Sequence, residues 1–169
     1  MVTVSSSIQI RPARATDLPG LEWEGVYTKY RQVFRRTFED VLANHRLMLV
    51  AAAGERLVGQ VFVQLNSADR RFADGVNRAY LYSLRVRPEY QRQGIGTRLI
   101  ETAETTLHGR GFRSVVIAVG KQNGDALRLY QRLGYQVFTE DPGIWEYIDD
   151  EGKQQRVEEP SWLLVKVLR

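Results

Sequence analysis

The chain has 169 residues, 43% hydrophobic and 26% charged, with 24 Lys and Arg against 20 Asp and Glu for a net charge of +4. This length and balance suit a globular protein with a sizeable core, so residues 1–169 are expected to form a single domain. The sequence has no cysteine, which excludes disulfides, thiolate metal sites and cysteine acyl intermediates and fits a cytoplasmic protein.

In chain order, residues 8–11 read as a short strand, followed by Thr16 or Asp17 as a helix N-cap and Pro19 in the first turn. Apolar residues then keep helical spacing from Leu21 through Tyr30, Phe34 and Phe38 to Leu42, with Gly25 a weak point, which predicts two helices or one broken one. Residues 47–53 and 57–65 form a hairpin around Gly54 and Glu55, and 66–78 form a long surface loop. Residues 79–86 are a strand rich in Tyr, Leu and Val, ended by Pro88. Ile95, Leu99, Ala103 and Leu107 recur every four residues, which is a helix, with Gly109 as its stop. A strand over 114–119, a turn over 120–124 and a helix over 125–133 closed by Gly134 follow. Residues 134–139 and 162–168 are further strands, and 145–148 pair as a ribbon with residues near Val157. This order predicts an α/β or α+β fold with a mixed sheet.

Residues 1–10 lack the basic flank and long apolar core of a secretion signal, and the longest apolar run, 47–53, is too short to span a bilayer. The protein is therefore expected to be soluble and uncleaved. The pI near 9.5 raises nucleic acid as a partner. The arginines are spread along the chain instead of gathered in a tract, so no nucleic-acid partner is expected.

The segment between the 79–86 strand and the next helix carries the strongest chemical signal. A helix beginning near Gly94 leaves its first amides without intrahelical acceptors, and they point, with the positive dipole end, into the turn. Gly94 and Gly96 lack Cβ atoms, so a pyrophosphate can approach the backbone, while Gln91, Arg92 and Gln93 add side-chain donors. The Rossmann fingerprint fails because Leu99 stands where its third glycine belongs, and no Walker lysine follows the glycines. Taken alone, a Gly-x-Gly turn serves close packing as readily as ligand binding.

A second pattern follows at a set distance: a β-branched strand, Asn123, a short helix carrying Ala126 and Tyr130, then Leu133-Gly134-Tyr135. Read locally, Asn123 is a turn residue and Tyr130 a core aromatic. Together, Gln-x-x-Gly-x-Gly opening an amphipathic helix and this second pattern resemble the two cofactor motifs of the GNAT superfamily of N-acetyltransferases, whose element order is similar over nearly the whole chain. The resemblance implies a three-layer fold with about four helices and a mixed, mostly antiparallel seven-stranded sheet splayed between its fourth and fifth strands. It implies acetyl-CoA as acyl-donor co-substrate, with no metal. The pantetheine arm would meet backbone groups of Leu84, Arg85 and Val86, and the pyrophosphate would rest on Gln91, Arg92, Gln93, Gly94, Ile95, Gly96 and Thr97. Asn123 and Tyr130 would complete the cofactor site. An amine would attack the thioester directly, the amide near Leu84 would stabilise the oxyanion, and Tyr130 would protonate the leaving thiolate.

The general base has no obvious candidate. The position that holds a glutamate in many relatives is Tyr80 here, and a phenol of pKa about 10 is a poor base at neutral pH. Tyr80 and Tyr82 are expected to share a strand face with Leu84 and Val86, either as core or as the lining of an acceptor pocket. Glu22 or Glu24 could act through water, or the acceptor could need little help. An α-amine near pKa 8 is neutral about a quarter of the time near pH 7.5, against about one part in 10³ for a lysine. Only His45 and His108 are available for a Ser-His-carboxylate triad, which is not expected. Acceptor selection is expected from Trp23, Tyr27 and Tyr30, with the acidic set Asp149, Asp150, Glu151, Glu158 and Glu159 either drawing an amine or forming a solvated hairpin. The expected activity is N-acetylation of a primary amine on a small molecule, a peptide or a protein N-terminus, by a monomer or homodimer. The alternative, motivated by Tyr80, is a CoA-binding regulatory module without turnover.

Overall fold

The computed structural model describes residues 7–169; residues 1–6, on which part of the uncleaved-start expectation rests, lie outside them. β1 (Ile8–Pro12) is followed by a 3-10 helix, Ala15–Glu22, in place of the expected α-helix. Neither Thr16 nor Asp17 is its N-cap; Arg14 is. Asp17 lies inside the first turn, where its carboxylate accepts the Arg14 N–H at 2.7 Å and pairs with the Arg11 guanidinium at 2.7 Å, fastening the segment to β1. Pro19 inside the segment has no N–H to donate and so interrupts an α-helical ladder there. The chain breaks where Gly25 marks it: Trp23, Glu24 and Gly25 take φ of 48°, 53° and 107°. A 3-10 turn, Thr28–Tyr30, then leads into α1 (Arg31–Leu42).

β2 (Arg46–Ala53) and β3 (Arg56–Gln64) form the hairpin across Gly54 and Glu55. β4 (Arg78–Val86), α2 (Ile95–Gly109), β5 (Ser114–Gly120), α3 (Gly124–Arg132), β6 (Gln136–Asp141), β7 (Ile144–Ile148), β8 (Gln154–Glu158) and β9 (Ser161–Val167) complete the order. Gly109 is still helical; the reversal that ends α2 falls at Gly111, whose φ of 90° requires the left-handed region. Gly134, at φ 100°, closes α3 as expected. Among the described residues no helix is long and apolar enough to cross a membrane.

The seven-stranded sheet has the order β1-β2-β3-β4-β5-β9-β6, and β7 and β8 form a separate ribbon with Trp145 opposite Val157. All pairings are antiparallel except β4 with β5. That parallel ladder holds only four pairs, from Arg78↔Ser114 to Leu81↔Ile117. Residues 82–86 then diverge from β5, so the sheet is splayed between its fourth and fifth strands.

Each face of the sheet carries a core. Leu49, Val61, Leu81, Leu99, Ile100 and Leu164 pack on the α2 side, and Leu21, Phe34, Met48, Val50 and Phe62 on the α1 side. A β-bulge changes which β4 residues go where. Phe62 pairs with Tyr82 and Gln60 with Arg85, so Ser83 and Leu84 both fall opposite Val61, and Ser83 takes a φ of 52°. The extra residue shifts the two-residue alternation. Tyr82 joins the α1-side core while Leu84 and Val86 pack on the α2 side, so the expected shared face does not form.

Candidate active site

The amino end of α2 is uncapped. Its N-cap is Gly94, φ 80°, without a side-chain hydrogen bond, and the first helical bond runs from the Arg98 N–H to the Gly94 carbonyl at 3.0 Å. The amides of Ile95, Gly96 and Thr97 therefore have no acceptor within the helix. A Cβ built on Gly94 would have nothing within 4 Å, and one on Gly96 would meet only Val86 Cγ2, at 3.8 Å. This open set of aligned donors fits an anion such as a diphosphate. Arg92, φ 64°, and Gln93 are exposed beside it. Gln91 is otherwise engaged: its Nε2 donates to the Val86 carbonyl at 2.9 Å, tying the turn to the end of β4 instead of offering a free donor.

A cavity of about 920 Å³ opens at the splay. Its lining brings together Tyr80, Tyr82, Ser83 and Arg85 of β4, Gly120 of β5, and Asn123, Ala126 and Tyr130 of the following turn and helix. Leu84, Val86 and the cradle residues Gln91 to Thr97 are not part of that lining. Asn123 also caps α3, its Oδ1 accepting the Ala126 N–H at 3.2 Å. The Tyr130 ring meets Tyr135 edge-on, with centroids 6.2 Å apart. Burial pushes the Tyr130 phenol above its ordinary pKa, so the hydroxyl holds its proton at neutral pH. Tyr80 is stacked on Tyr82 at 5.4 Å and edge-on to Phe72 at 4.8 Å, and burial raises its pKa strongly. Phe72 comes from the 66–78 loop, which is thus partly internal; its Ala73 is fully buried.

On the acceptor side the structure redistributes the expected residues. Trp23 is 6% exposed, packs under the Arg87 guanidinium at 5.2 Å and lies outside the cavity lining, so it supports the loop instead of facing a substrate. Tyr27 also lies outside the lining and sits against Arg85, 4.1 Å from guanidinium to ring. Tyr30 does line the cavity, with Tyr147 at 4.9 Å and Trp145 at 6.2 Å between centroids. Trp145 and Tyr147 were not anticipated as site residues. Their spacing of two along a ribbon strand, which puts both on one face, was the available signal.

Glu22 and Glu24 are not free to act as bases. The Arg31 guanidinium, with the Thr28 hydroxyl, holds the Glu22 carboxyl below the usual range, and Arg87 does the same for Glu24. Neither lines the cavity. Within the lining, Asp40 pairs with Arg46, while Asp141 pairs with Arg71, which also holds Asp69. Of the acidic set, Asp149 accepts the N–H groups of Glu151 and Lys153 and the Gln155 amide, and Glu151 and Glu158 pair with Lys153 and Arg156. Glu159 alone of that set lines the cavity. Its carboxylate lies over Gly120 and has no hydrogen-bond or ion-pair partner among the described residues.

A sheet splayed beside an uncapped helix, opening onto a cavity with a protonated phenol, is an arrangement suited to acyl transfer from a phosphate-bearing donor. The sequence model of the Acetyltransferase (GNAT) family matches residues 13–135, and the chain belongs to that family. Among curated proteins, it is 31% identical over 102 residues to N-alpha-acetyltransferase 30 of Homo sapiens, spanning 60% of this chain and 26% of that protein. It is 36% identical over 64 residues to the [Ribosomal protein bS18]-alanine N-acetyltransferase of Escherichia coli (strain K12), spanning 38% of this chain and 43% of that one. The matches thus span less than half the length of these relatives. The crystal structure of the Escherichia coli ribosomal-protein-S18-alanine N-acetyltransferase superposes with a TM-score of 0.71 at 20% identity, covering 95% of this chain and 94% of that one. Arabidopsis thaliana NAA60 in complex with acetyl-CoA also gives 0.71, at 21% identity, covering 95% and 98%. At these identities the structural likeness establishes the fold.

Proposed function

We propose that the protein transfers an acetyl group from acetyl-CoA directly to a primary amine, and that residues 1–169 act as one catalytic domain in the cytoplasm. The observation that carries this reading is the uncapped start of α2 at Gly94, beside a splay whose cavity holds Tyr130. Relatives named for N-terminal α-amines and for a ribosomal-protein alanine support an amine acceptor.

Acetyl-CoA, when bound, supplies an acetyl group activated as a thioester. The amides of Ile95, Gly96 and Thr97, with Arg92 and Gln93, would hold its diphosphate, and the backbone of Leu84, Arg85 and Val86 would hold its arm. The bulge at Ser83 and Leu84 is the place where a backbone N–H can face the developing oxyanion. Tyr130, kept protonated by burial, donates to the departing sulfur. The aromatic wall of Tyr30, Trp145 and Tyr147 orients the amine and restricts water. Since Tyr80 is held as a neutral phenol and Glu22 and Glu24 are bound to arginines, the acceptor enters with little basic assistance from them.

A screen of amines with acetyl-CoA, read as free thiol released, tests the reading. Thiol release on at least one acceptor is the expected result. CoA binding without release on any acceptor would favour a regulatory module.

A further inference from the structure

Arg85 is out of place in an apolar setting. Its guanidinium stacks over Tyr27 at 4.1 Å and Tyr30 at 5.2 Å, and it lines the cavity. Its side chain makes no hydrogen bond or ion pair with any described residue, and its Nη1 is buried without a partner. The other arginine buried near the splay, Arg87, is satisfied by the Leu57 carbonyl and Glu24. Gln60, the cross-strand partner of Arg85, is 1% exposed, and its Nε2 is also buried without a partner. Paired residues of an antiparallel ladder project from the same face. Two orphaned donors, one of them cationic, therefore stand side by side on the α1 face of the sheet, and of the two Arg85 lines the cavity while Gln60 lies behind it. Leaving such groups unpaired costs free energy, and a native site that keeps them calls for an acceptor group.

The charge layout of the cavity says where that group belongs. Asp40 pairs with Arg46, Arg71 bridges Asp69 and Asp141, and Glu146 accepts from the Gln154 amide, which leaves the exposed Arg36 on α1, Arg85 near Tyr27 and Tyr30, and Glu159 over Gly120. A carboxylate near Gly120 suits an ammonium entering beside the splay, and a guanidinium under the tyrosines suits an anion farther along the same molecule.

We propose that Arg85 is a carboxylate receptor, so that the acceptor is an amine that also carries a carboxylate. This rests on the acetyltransferase reading for its meaning, though not for its measurement. The carboxylate is supplied either by a free amino acid or by the acidic side chain of a peptide N-terminus. The planar, two-pronged guanidinium fits either source.

The test uses three probes: alanine, the dipeptide amide Asp-Ala-NH₂, and Ala-Ala-NH₂, which lacks a carboxylate. Each is titrated calorimetrically into the CoA-loaded protein and assayed for thiol release with acetyl-CoA. The wild type is expected to favour one of the carboxylate-bearing probes over Ala-Ala-NH₂ by about tenfold or more, the scale of a charge-assisted hydrogen bond. Preference for alanine identifies a free amino acid, and preference for Asp-Ala-NH₂ an acidic peptide. Arg85→Met should abolish the preference, and Arg85→Lys should restore part of it. Equal binding of all three probes by the wild type overturns the proposal. So does an Arg85→Met variant that weakens all probes equally, which would make the stacked arginine a brace for Tyr27 and Tyr30. A binding preference without thiol release on any probe would instead count against the transferase reading and leave the receptor standing.

Discussion

Tyr130 and Tyr80 both line the cavity and both are held neutral by burial, yet their settings differ. Tyr80 is packed between Tyr82 and Phe72, while Tyr130 stands on α3 beside the end of β5. Tyr130→Phe is expected to keep CoA affinity and to lower kcat by roughly 10²-fold or more, since ring packing survives while the proton for the thiolate is lost. Calorimetry with CoA and thiol-release kinetics on the same variant check both halves; near-normal turnover would reduce Tyr130 to core. Tyr80→Phe should be milder, because a phenol raised above its ordinary pKa cannot be the main base. The kcat/KM profile should accordingly climb with pH until the acceptor amine itself is neutral, and its apparent pKa should move when the acceptor is changed. A profile fixed near pH 6 to 7 for every acceptor would point to a base on the protein.

At the scale of elements, the strand-to-helix turn from β4 to α2 carries the cofactor prediction. Gly94→Glu and Gly96→Glu should abolish CoA binding, because a carboxylate at the helix start would occupy the cradle and repel phosphates. Gly96→Glu is the cleaner variant: Gly94 takes a φ of 80°, where any side chain is also strained, whereas the space around Gly96 accepts a Cβ. A folded Gly96→Glu protein with unchanged affinity would remove the cradle assignment. The join between β1 and the following 3-10 helix carries a stability prediction. The Arg11 hydrogen bond holds the Asp17 carboxyl below the usual range, so folding favours its ionised form. That contribution is fully present above the unfolded pKa of about 3.9 and is lost as pH falls through the lower folded value. Asp17→Asn should therefore lower the melting temperature at pH 7 and reduce the difference from wild type below about pH 4. A gap that stays constant with pH would mean that the ion pair contributes nothing.

For the whole molecule, the four-pair ladder between β4 and β5 predicts where binding is felt. CoA at a hundredfold excess over its Kd should stabilise the protein by about 2.7 kcal/mol, seen as a rise in Tm of several degrees. Amide exchange should slow in residues 82–86 and 118–120 and at the start of α2; protection confined to β1 and β2 would contradict binding at the splay. Local patterning was enough to read most of the architecture. Alternation and β-branched runs located the strands, the four-residue recurrence from Ile95 to Leu107 located α2, and Gly94 and Gly134 marked helix ends, because each depends on neighbours a few residues away. The Trp145 and Val157 pairing was legible for the same reason. The sequence by itself therefore determined most of the elements, their order and the open glycine turn at the start of α2. Only the tertiary structure decided that a bulge at Ser83 puts Arg85, and not Leu84, on the face of Tyr82, since one extra residue in a ladder inverts every side chain after it. It also decided that Trp23, Glu22 and Glu24 are engaged by Arg87 and Arg31 while Trp145 and Tyr147 form the acceptor wall. Those outcomes rest on partners as many as 117 residues apart in the chain, and ion pairing and ring stacking depend on distance in space, which no local spacing encodes.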